Sequence, residues 1–341
     1  MHERFTDIRE RDWDTDADGE VRLAVVGCGG FARGVVLPSV EDCEYLTPTV
    51  GVSGSESNRE AAAEYGLETT DYDGYADGDL ADSYDAVYVA TPNRLHLPHI
   101  ETATAQGKAV ISEKPLDATS ERAEQAVETC EQAGVPLMTA YRMQTDPLFR
   151  RLREFLDDGG IGDVTRFGGD FTFPVLAGSR GPEQWRLDQE LAGGGALVDV
   201  GVYLLNTTRF LLGEEPESVS GHTRTSGPFS DVDEHVDFRV VFPDAVGNFS
   251  ASFSGHPTAD YTVYGTEGTV RVYDAFQPNR GRRLVVETGD KRYEIEGAGG
   301  GELREEFDYF AHAVLTGRDI EPDGRDGLAD VRLLEQVYES A

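Results

Sequence analysis

The sequence predicts an α/β protein in two parts: a parallel sheet wound with helices on both faces, then a domain built on a large, mostly antiparallel open sheet. Three observations carry this. Apolar, β-branched stretches alternate with helical ones as far as residue 142, the alternation then stops, and from Glu217 onward strands follow one another through short connectors of Gly, Pro and Asp. At 341 residues the chain also exceeds the ~250 to 300 at which one core stops growing. Two domains are therefore expected, drawn at 21–142 and 143–341 behind an arm of 1–20.

Charge and cysteine usage narrow the function. The 30 basic residues are outweighed by 64 acids, a net charge of −34, and lysine occurs only as Lys108, Lys114 and Lys291. No segment concentrates base, so nucleic acid is not an expected partner. An acidic excess of this size repels itself at low salt and reads as adaptation to a high-salt cytosol. Cys28, Cys43 and Cys130 lack zinc-ligand spacing, and no leader or long apolar run accompanies them. The expectation is a reduced, cytoplasmic protein with no membrane insertion and no metal.

In the arm, Trp13 is the candidate anchor. A strand over 21–26 then empties into Gly27-Cys28-Gly29-Gly30-Phe31-Ala32. This is G-x-G-x-x-A between a strand and a helix, where glycines allow a tight turn and let main-chain amides approach a pyrophosphate. The second strand, 48–52, ends at Ser53-Gly54-Ser55. NAD-specific sites place an acid here for the adenosine ribose. Hydroxyls in its place, with Asn58 and Arg59 just beyond, favour NADP. The same serines also suit the cap of a helix over 58–65, and Glu56 and Glu60 lie close by.

Further strands are expected at 86–90, 109–111 and 136–140. Their tips, Thr91-Pro92-Asn93, Glu113-Lys114-Pro115 and Tyr141-Arg142, would meet on one rim. Pro115 donates no ladder hydrogen bond and restricts the residue before it, so the strand stops at Lys114. An ammonium is thereby fixed at the carboxyl end of a strand, where ligands of open α/β sheets bind. His96 and His99 are three apart in the next helix and read as one helix face rather than a metal site.

After residue 142 come a helix over 147–156, a strand over 164–173, Trp185-Arg186, and the Gly193 to Asn206 stretch that runs into a helix over 207–212. Asp199 and Tyr203 share a face of that stretch if Asp199 is already helical; the alternative is a core aromatic and a helix-start acid. Strands are expected at 218–225, 234–242, 247–254, 261–264, 269–273, 283–287 and 292–296, with closing helices at 302–315 and 324–338. One face of such a sheet packs on helices. The open face invites a partner subunit, so a homodimer or homotetramer through the C-terminal sheet is expected.

In combination, the Gly27 loop, Thr91-Pro92-Asn93, Glu113-Lys114-Pro115, Trp185-Arg186 and Gly193 to Asn206 resemble the glucose-fructose oxidoreductase and inositol dehydrogenase family. The likeness runs from about Val21 to the C-terminus. Tyr203 stands where inositol-oxidising members carry histidine, as in the sugar-oxidising, NADP-preferring branch. The resemblance implies an N-terminal Rossmann domain, a C-terminal α/β domain and a site between them. It implies oxidation at C1 of a pyranose sugar, D-xylose first, to the lactone. Tyr203 would be the acid/base and Lys114 the cation that favours its phenolate. Asn93, Tyr141 and Asp199 would hold the sugar. NADP would take the loop Gly27, Cys28, Gly29, Gly30, Phe31 and Ala32, then Ser53, Gly54, Ser55 and Arg59, and beyond them Thr91, Pro92, Asn93, His96, Glu113, Lys114, Arg142, Trp185 and Arg186. Two alternatives stay open: an oxidoreductase that retains NADP and recycles it on a second sugar, and a non-catalytic NADP-binding sensor.

Overall fold

β1 (Val21–Val26) sends Leu23 and Val25 into one hydrophobic cluster and Ala24 and Val26 into another. A strand apolar on both faces belongs to a parallel sheet covered by helices on each side. The computed structural model, which describes residues 5, 11, 13–177, 181–278 and 281–341, sets β1 beside β2 (Leu46–Val52) and β4 (Ala86–Val89). With β3 (Glu68–Thr70), β5 (Ala109–Ser112) and β6 (Leu137–Thr139) they form a six-stranded Rossmann sheet of order β3-β2-β1-β4-β5-β6. Every pairing in it is parallel. The order reverses between β1 and β4, the switch point at which such sheets bind ligands. β3 is the one strand of this sheet that the sequence did not announce.

The chain divides into two units, a first of Trp13–Arg142 with Leu303–Val331 and a second that includes Met143–Glu302 and Arg332–Ala341. The end of sequence alternation thus coincides with a real change of unit. A single cut at 142 nevertheless misses a return. The helix Glu302–Thr316 gives Phe307 and Phe310 to one core of the first unit, and Gly324–Ser340 gives Leu328 and Val331 to the other. An apolar helix face does not say which sheet it covers, so this return is invisible in the pattern.

Much of the arm lies outside the described residues. Trp13 is buried and packs against Tyr309 at 5.7 Å and His312 at 4.7 Å between ring centroids, so it does anchor its segment, within the first unit. Phe5 lies edge-on to Phe155 in the second unit.

The second unit holds β7 (Val164–Thr172), β8 (Ser218–Arg224), β9 (His235–Val241), β10 (Val246–Ser252), β11 (Thr258–Gly265), β12 (Gly268–Tyr273), β13 (Arg282–Thr288) and β14 (Lys291–Ala298). Their order is β14-β13-β12-β11-β7-β10-β9-β8, antiparallel throughout except between β7 and β10. Val236, Phe238 and Val240 of β9 are buried while Asp237 and Arg239 between them are exposed, so one face is core and the other is open. The helix Val202–Leu212 covers the buried face, with Thr208 Oγ1 2.6 Å from Tyr261 Oη. On the open face Arg166 stacks on Tyr264, Arg283 stacks on Tyr273, and Glu294 pairs with both Arg283 and Arg292.

Candidate active site

In the first unit the site begins with Gly27, whose φ of +98° suits glycine alone. A Cβ there would stand 2.7 Å from the main chain of Ala90. The Gly27 and Cys28 amides both donate to the Val52 carbonyl, at 2.9 and 3.1 Å, which ties the loop to the end of β2. The other side of the loop is open. A Cβ on Gly30 would meet nothing within 4 Å, and one on Gly29 only Gly27 O at 3.9 Å. Beyond it a helical stretch opens, with a π-helical turn at Ala32–Val36 and an α-turn at Leu37–Val40. Its first amides have no intrahelical acceptor. A dinucleotide's pyrophosphate fits this cradle. Cys28 and Ala32 face inward; the Cys28 thiol donates to Val25 O, and burial pushes it up to about 11, so it contributes backbone only. Phe31 is 42% exposed at the loop's rim.

At the end of β2, Ser53 is buried and Ser55 caps the helix Glu56–Ala63 by accepting from the Asn58 amide. The capping role expected of these serines is therefore real for Ser55. Arg59 Nη1 donates to the Ser53 carbonyl across 2.7 Å. No carboxylate stands on Ser53, Gly54 or Ser55.

The β4 and β5 tips are fastened to each other. His96 is fully buried and its ring nitrogens lie 2.9 Å from Thr91 O and 3.1 Å from Leu116 O. Both ring nitrogens thus lie against main-chain carbonyls and tie the Thr91 and Leu116 backbones together. Asp117 accepts from the Leu97 amide and from Arg122 Nε, and Arg122 also reaches the Arg94 carbonyl. Glu113 accepts from Tyr88 Oη at 2.6 Å and from the Lys114 amide at 3.3 Å. Lys114 and Glu113 are half-buried, while Thr91, Asn93, Tyr141 and Arg142 are buried. His99 stacks on Tyr72 instead of sharing a ligand with His96. Among the described residues no group of three His, Cys, Asp or Glu is placed to hold a metal ion.

In the second unit the chain reads out its own site. Within 194–209 every residue is buried except Asp199 and Tyr203. A π-helical turn, Leu197–Gly201, leads into Val202–Leu212, so Asp199 is helical and the expected shared face exists. The Tyr203 ring lies edge-on to Phe171 at 5.6 Å and tilted against Phe276 at 5.7 Å. Arg186 stacks on Trp185 and gives its Nε hydrogen to Asp199 Oδ2 at 3.1 Å. Asp233 caps the turn: its carboxylate accepts from the Gly195 and Leu197 amides, at 2.7 and 2.8 Å, and from Tyr338 Oη at 2.5 Å.

Asp233, Tyr338 and Tyr88 were missed in the sequence. Tyr88 alone left a signal, as a hydroxyl inside the apolar run of β4.

The description "Oxidoreductase family, NAD-binding Rossmann fold" (GFO/IDH/MocA) matches residues 21–141, and "GFO/IDH/MocA C-terminal domain" matches 149–271. The D-xylose 1-dehydrogenase [NADP(+)] of Haloarcula marismortui is 42% identical over 342 residues, covering 97% of this chain and 94% of that one. The chain belongs to the GFO/IDH/MocA family.

Two solved structures are similar over nearly the whole length of this chain. Aldose-aldose oxidoreductase from Caulobacter crescentus, complexed with glycerol, is 31% identical with a TM-score of 0.89, over 94% of this chain and 97% of that one. A 3-ketoreductase from Actinomadura kijaniata, with NADP and TDP-benzene, is 25% identical with a TM-score of 0.85, over 95% and 98%. As a GFO/IDH/MocA protein this chain is an NAD(P)-dependent oxidoreductase.

Proposed function

We propose that the protein is an NADP-dependent aldose 1-dehydrogenase that oxidises C1 of a pyranose, D-xylose first, to the lactone. The observation that carries this reading is the 42% identity over 97% of the chain to an NADP-dependent D-xylose dehydrogenase. The absence of a carboxylate on Ser53, Gly54 and Ser55 supports NADP over NAD.

Residues Gly27 to Ala32, Ser53 to Ser55 and Arg59 would hold the nucleotide, with Thr91, Pro92, Glu113, Arg142, Trp185 and Arg186 serving the rest of it. Bound NADP supplies the hydride acceptor. The chain's own work is then binding and proton transfer. Tyr203 Oη takes the proton of the C1 hydroxyl as the lactone carbonyl forms, and the Lys114 ammonium favours the phenolate that accepts it. Asn93, Tyr141 and Asp199 orient the sugar hydroxyls. In this reading a second copy covers the open face of the eight-stranded sheet, and the acidic surface serves a high-salt cytosol.

NADP reduction by a panel of pentoses and hexoses at molar KCl, run beside Tyr203→Phe, tests the scheme. Xylose should turn over, and the variant should lose about 10²- to 10⁴-fold. Full activity in Tyr203→Phe would remove the acid/base assignment. A second reading is favoured by the likeness to an aldose-aldose oxidoreductase: a retained NADP recycled on a second sugar. Cofactor that survives exhaustive dialysis would support it.

A further inference from the structure

Three aromatic rings close on one another in the second unit. Tyr203 lies 5.6 Å from Phe171 and 5.7 Å from Phe276 between centroids, and Phe171 and Phe276 stack at 5.4 Å. Phe171 is part of β7, but Phe276 belongs to no strand or helix. It enters from the connector between β12 and β13 and is fully buried. Asp274, two residues before it, is the only non-glycine at positive φ among the described residues, at +54°. Aspartate tolerates this conformation better than most side chains, and it lasts only where the surroundings hold it.

Those surroundings are fastened by a buried ion pair. Arg282 Nε donates to the Ala275 carbonyl at 2.7 Å, and Arg282 Nη1 reaches Asp146 Oδ2 at 2.7 Å, with both charged side chains at zero exposure. The Ala275 amide in turn donates to Ala259 O at 2.6 Å. Asp146 Oδ1 caps the helix Pro147–Asp157 through the Leu148 and Phe149 amides, and the Phe149 ring stacks on Phe276 at 6.4 Å. One pair therefore fixes Phe276 twice, at its backbone through Ala275 and at its ring through Phe149. A buried ion pair gives little net stability over apolar residues of the same volume, because desolvation offsets the attraction. Its directional hydrogen bonds instead fix where the groups around it stand.

We propose that Phe276 is a positioning residue: locked by the Asp146–Arg282 pair, it holds the Tyr203 ring, together with Phe171, in the orientation from which the hydroxyl takes the sugar's proton. This rests on the acid/base reading above and deepens it. A phenol free to swing about its side-chain torsions spends less time at the reacting distance, and a displacement of about 1 Å costs about 10²-fold. The loss falls on turnover, because Phe276 acts through Tyr203 and not on the sugar or the nucleotide.

The test is D-xylose oxidation at saturating NADP and one fixed molar KCl concentration, in wild type, Phe276→Met, Tyr203→Phe and the double variant. Phe276→Met fills most of the volume and loses the flat ring. It should lower kcat about 10- to 100-fold and leave KM for the sugar within about threefold. In the Tyr203→Phe background the same change should lower kcat less than about twofold, since no hydroxyl is left to place. Phe238→Met, in the same core against Phe249 at 5.3 Å, controls for general loosening and should keep kcat within about twofold. Should Phe276→Met fail to fold, Asp146→Asn combined with Arg282→Met removes both charges, keeps an acceptor for the helix cap, and should show the same kcat loss and the same disappearance of that loss in Tyr203→Phe. An unchanged kcat, a loss that appears in KM, a loss that adds in full to that of Tyr203→Phe, or one that Phe238→Met matches would overturn the role of Phe276 and leave the acid/base reading standing. A fully active Tyr203→Phe, or a wild-type protein inert to D-xylose, would remove that reading and this inference with it.

Discussion

Arg186 holds Asp199 by an Nε to Oδ2 hydrogen bond of 3.1 Å, and the pair is 28% and 15% exposed. Asp199 is thus an oriented carboxylate, and in the proposed reading it orients a sugar hydroxyl. Asp199→Asn should lower kcat/KM for the sugar about 10- to 100-fold, mostly through KM. Because the pair is partly accessible, the Arg186→Gln and Asp199→Asn double-mutant cycle should return a coupling of about 0.5 to 1.5 kcal/mol. Strict additivity in kcat/KM would show that Arg186 does not set Asp199 for catalysis.

Lys114 is fixed at the end of β5, with Glu113 beside it held by Tyr88. Lys114→Met should reduce turnover by about 10²- to 10⁴-fold while NADP still binds, since general acid/base assistance contributes in that range. Loss of binding and turnover in equal measure would reassign Lys114 to the nucleotide alone. Tyr88→Phe should produce a smaller loss, about 3- to 10-fold, by freeing Glu113.

Two glycines of one loop should behave differently. Gly27→Ala places a Cβ 2.7 Å from the Ala90 main chain at a φ of +98°. The clash and the strain together should cost about 2 to 4 kcal/mol, read as a lowered urea midpoint. Gly30→Ala projects into open space and should leave the midpoint nearly unchanged while weakening dinucleotide binding at least about tenfold. Equal stability for Gly27→Ala and wild type would contradict the geometry of the loop.

What the sequence made legible were features that local chemistry enforces. The glycine loop sits where it was read, because a strand ending in G-x-G-x-x-A leaves the backbone few options. The strands of the second sheet agree to within a few residues, since alternation such as Val236, Phe238 and Val240 fixes which face is buried. β3 escaped because Glu68-Thr69-Thr70 is a three-residue strand with little apolar content. The return of 303–331 to the first unit escaped because it is decided by which core lacks Phe307 and Phe310. The Asp233 cap escaped for a similar reason. Its amide partners lie 38 and 36 residues away, and in sequence it is one more acid beside Asp231 and Glu234.

That cap deserves its own test, because it holds the turn that presents Asp199 and Tyr203. Asp233→Ala strips acceptors from the Gly195 and Leu197 amides and from the buried Tyr338 hydroxyl. The loss should be about 2 to 4 kcal/mol of stability. Asp233→Asn keeps one acceptor oxygen and should recover part of it. If both variants unfold at the wild-type midpoint, the turn is held by packing and the cap is incidental.

His99 sets an acid limit on the first unit. Burial, with a smaller contribution from His96, pushes it from the ordinary 6.5 down to about 4, while its ring stacks on Tyr72 at 4.9 Å. The unfolded chain therefore takes up a proton between those values that the folded chain refuses. Stability from the neutral ring is fully present above about pH 6.5 and is lost as the pH falls toward 4, on the order of 2 to 3 kcal/mol after allowing for partial exposure. His99→Phe keeps an aromatic face for Tyr72 and removes the titration. Urea midpoints at about pH 7.5 and about pH 4.5, in fixed KCl, should fall further for wild type than for the variant. The many carboxylates titrate identically in both proteins and cancel in the difference. Matching acid limbs would mean that His99 is protonated in the folded protein as readily as in the unfolded chain.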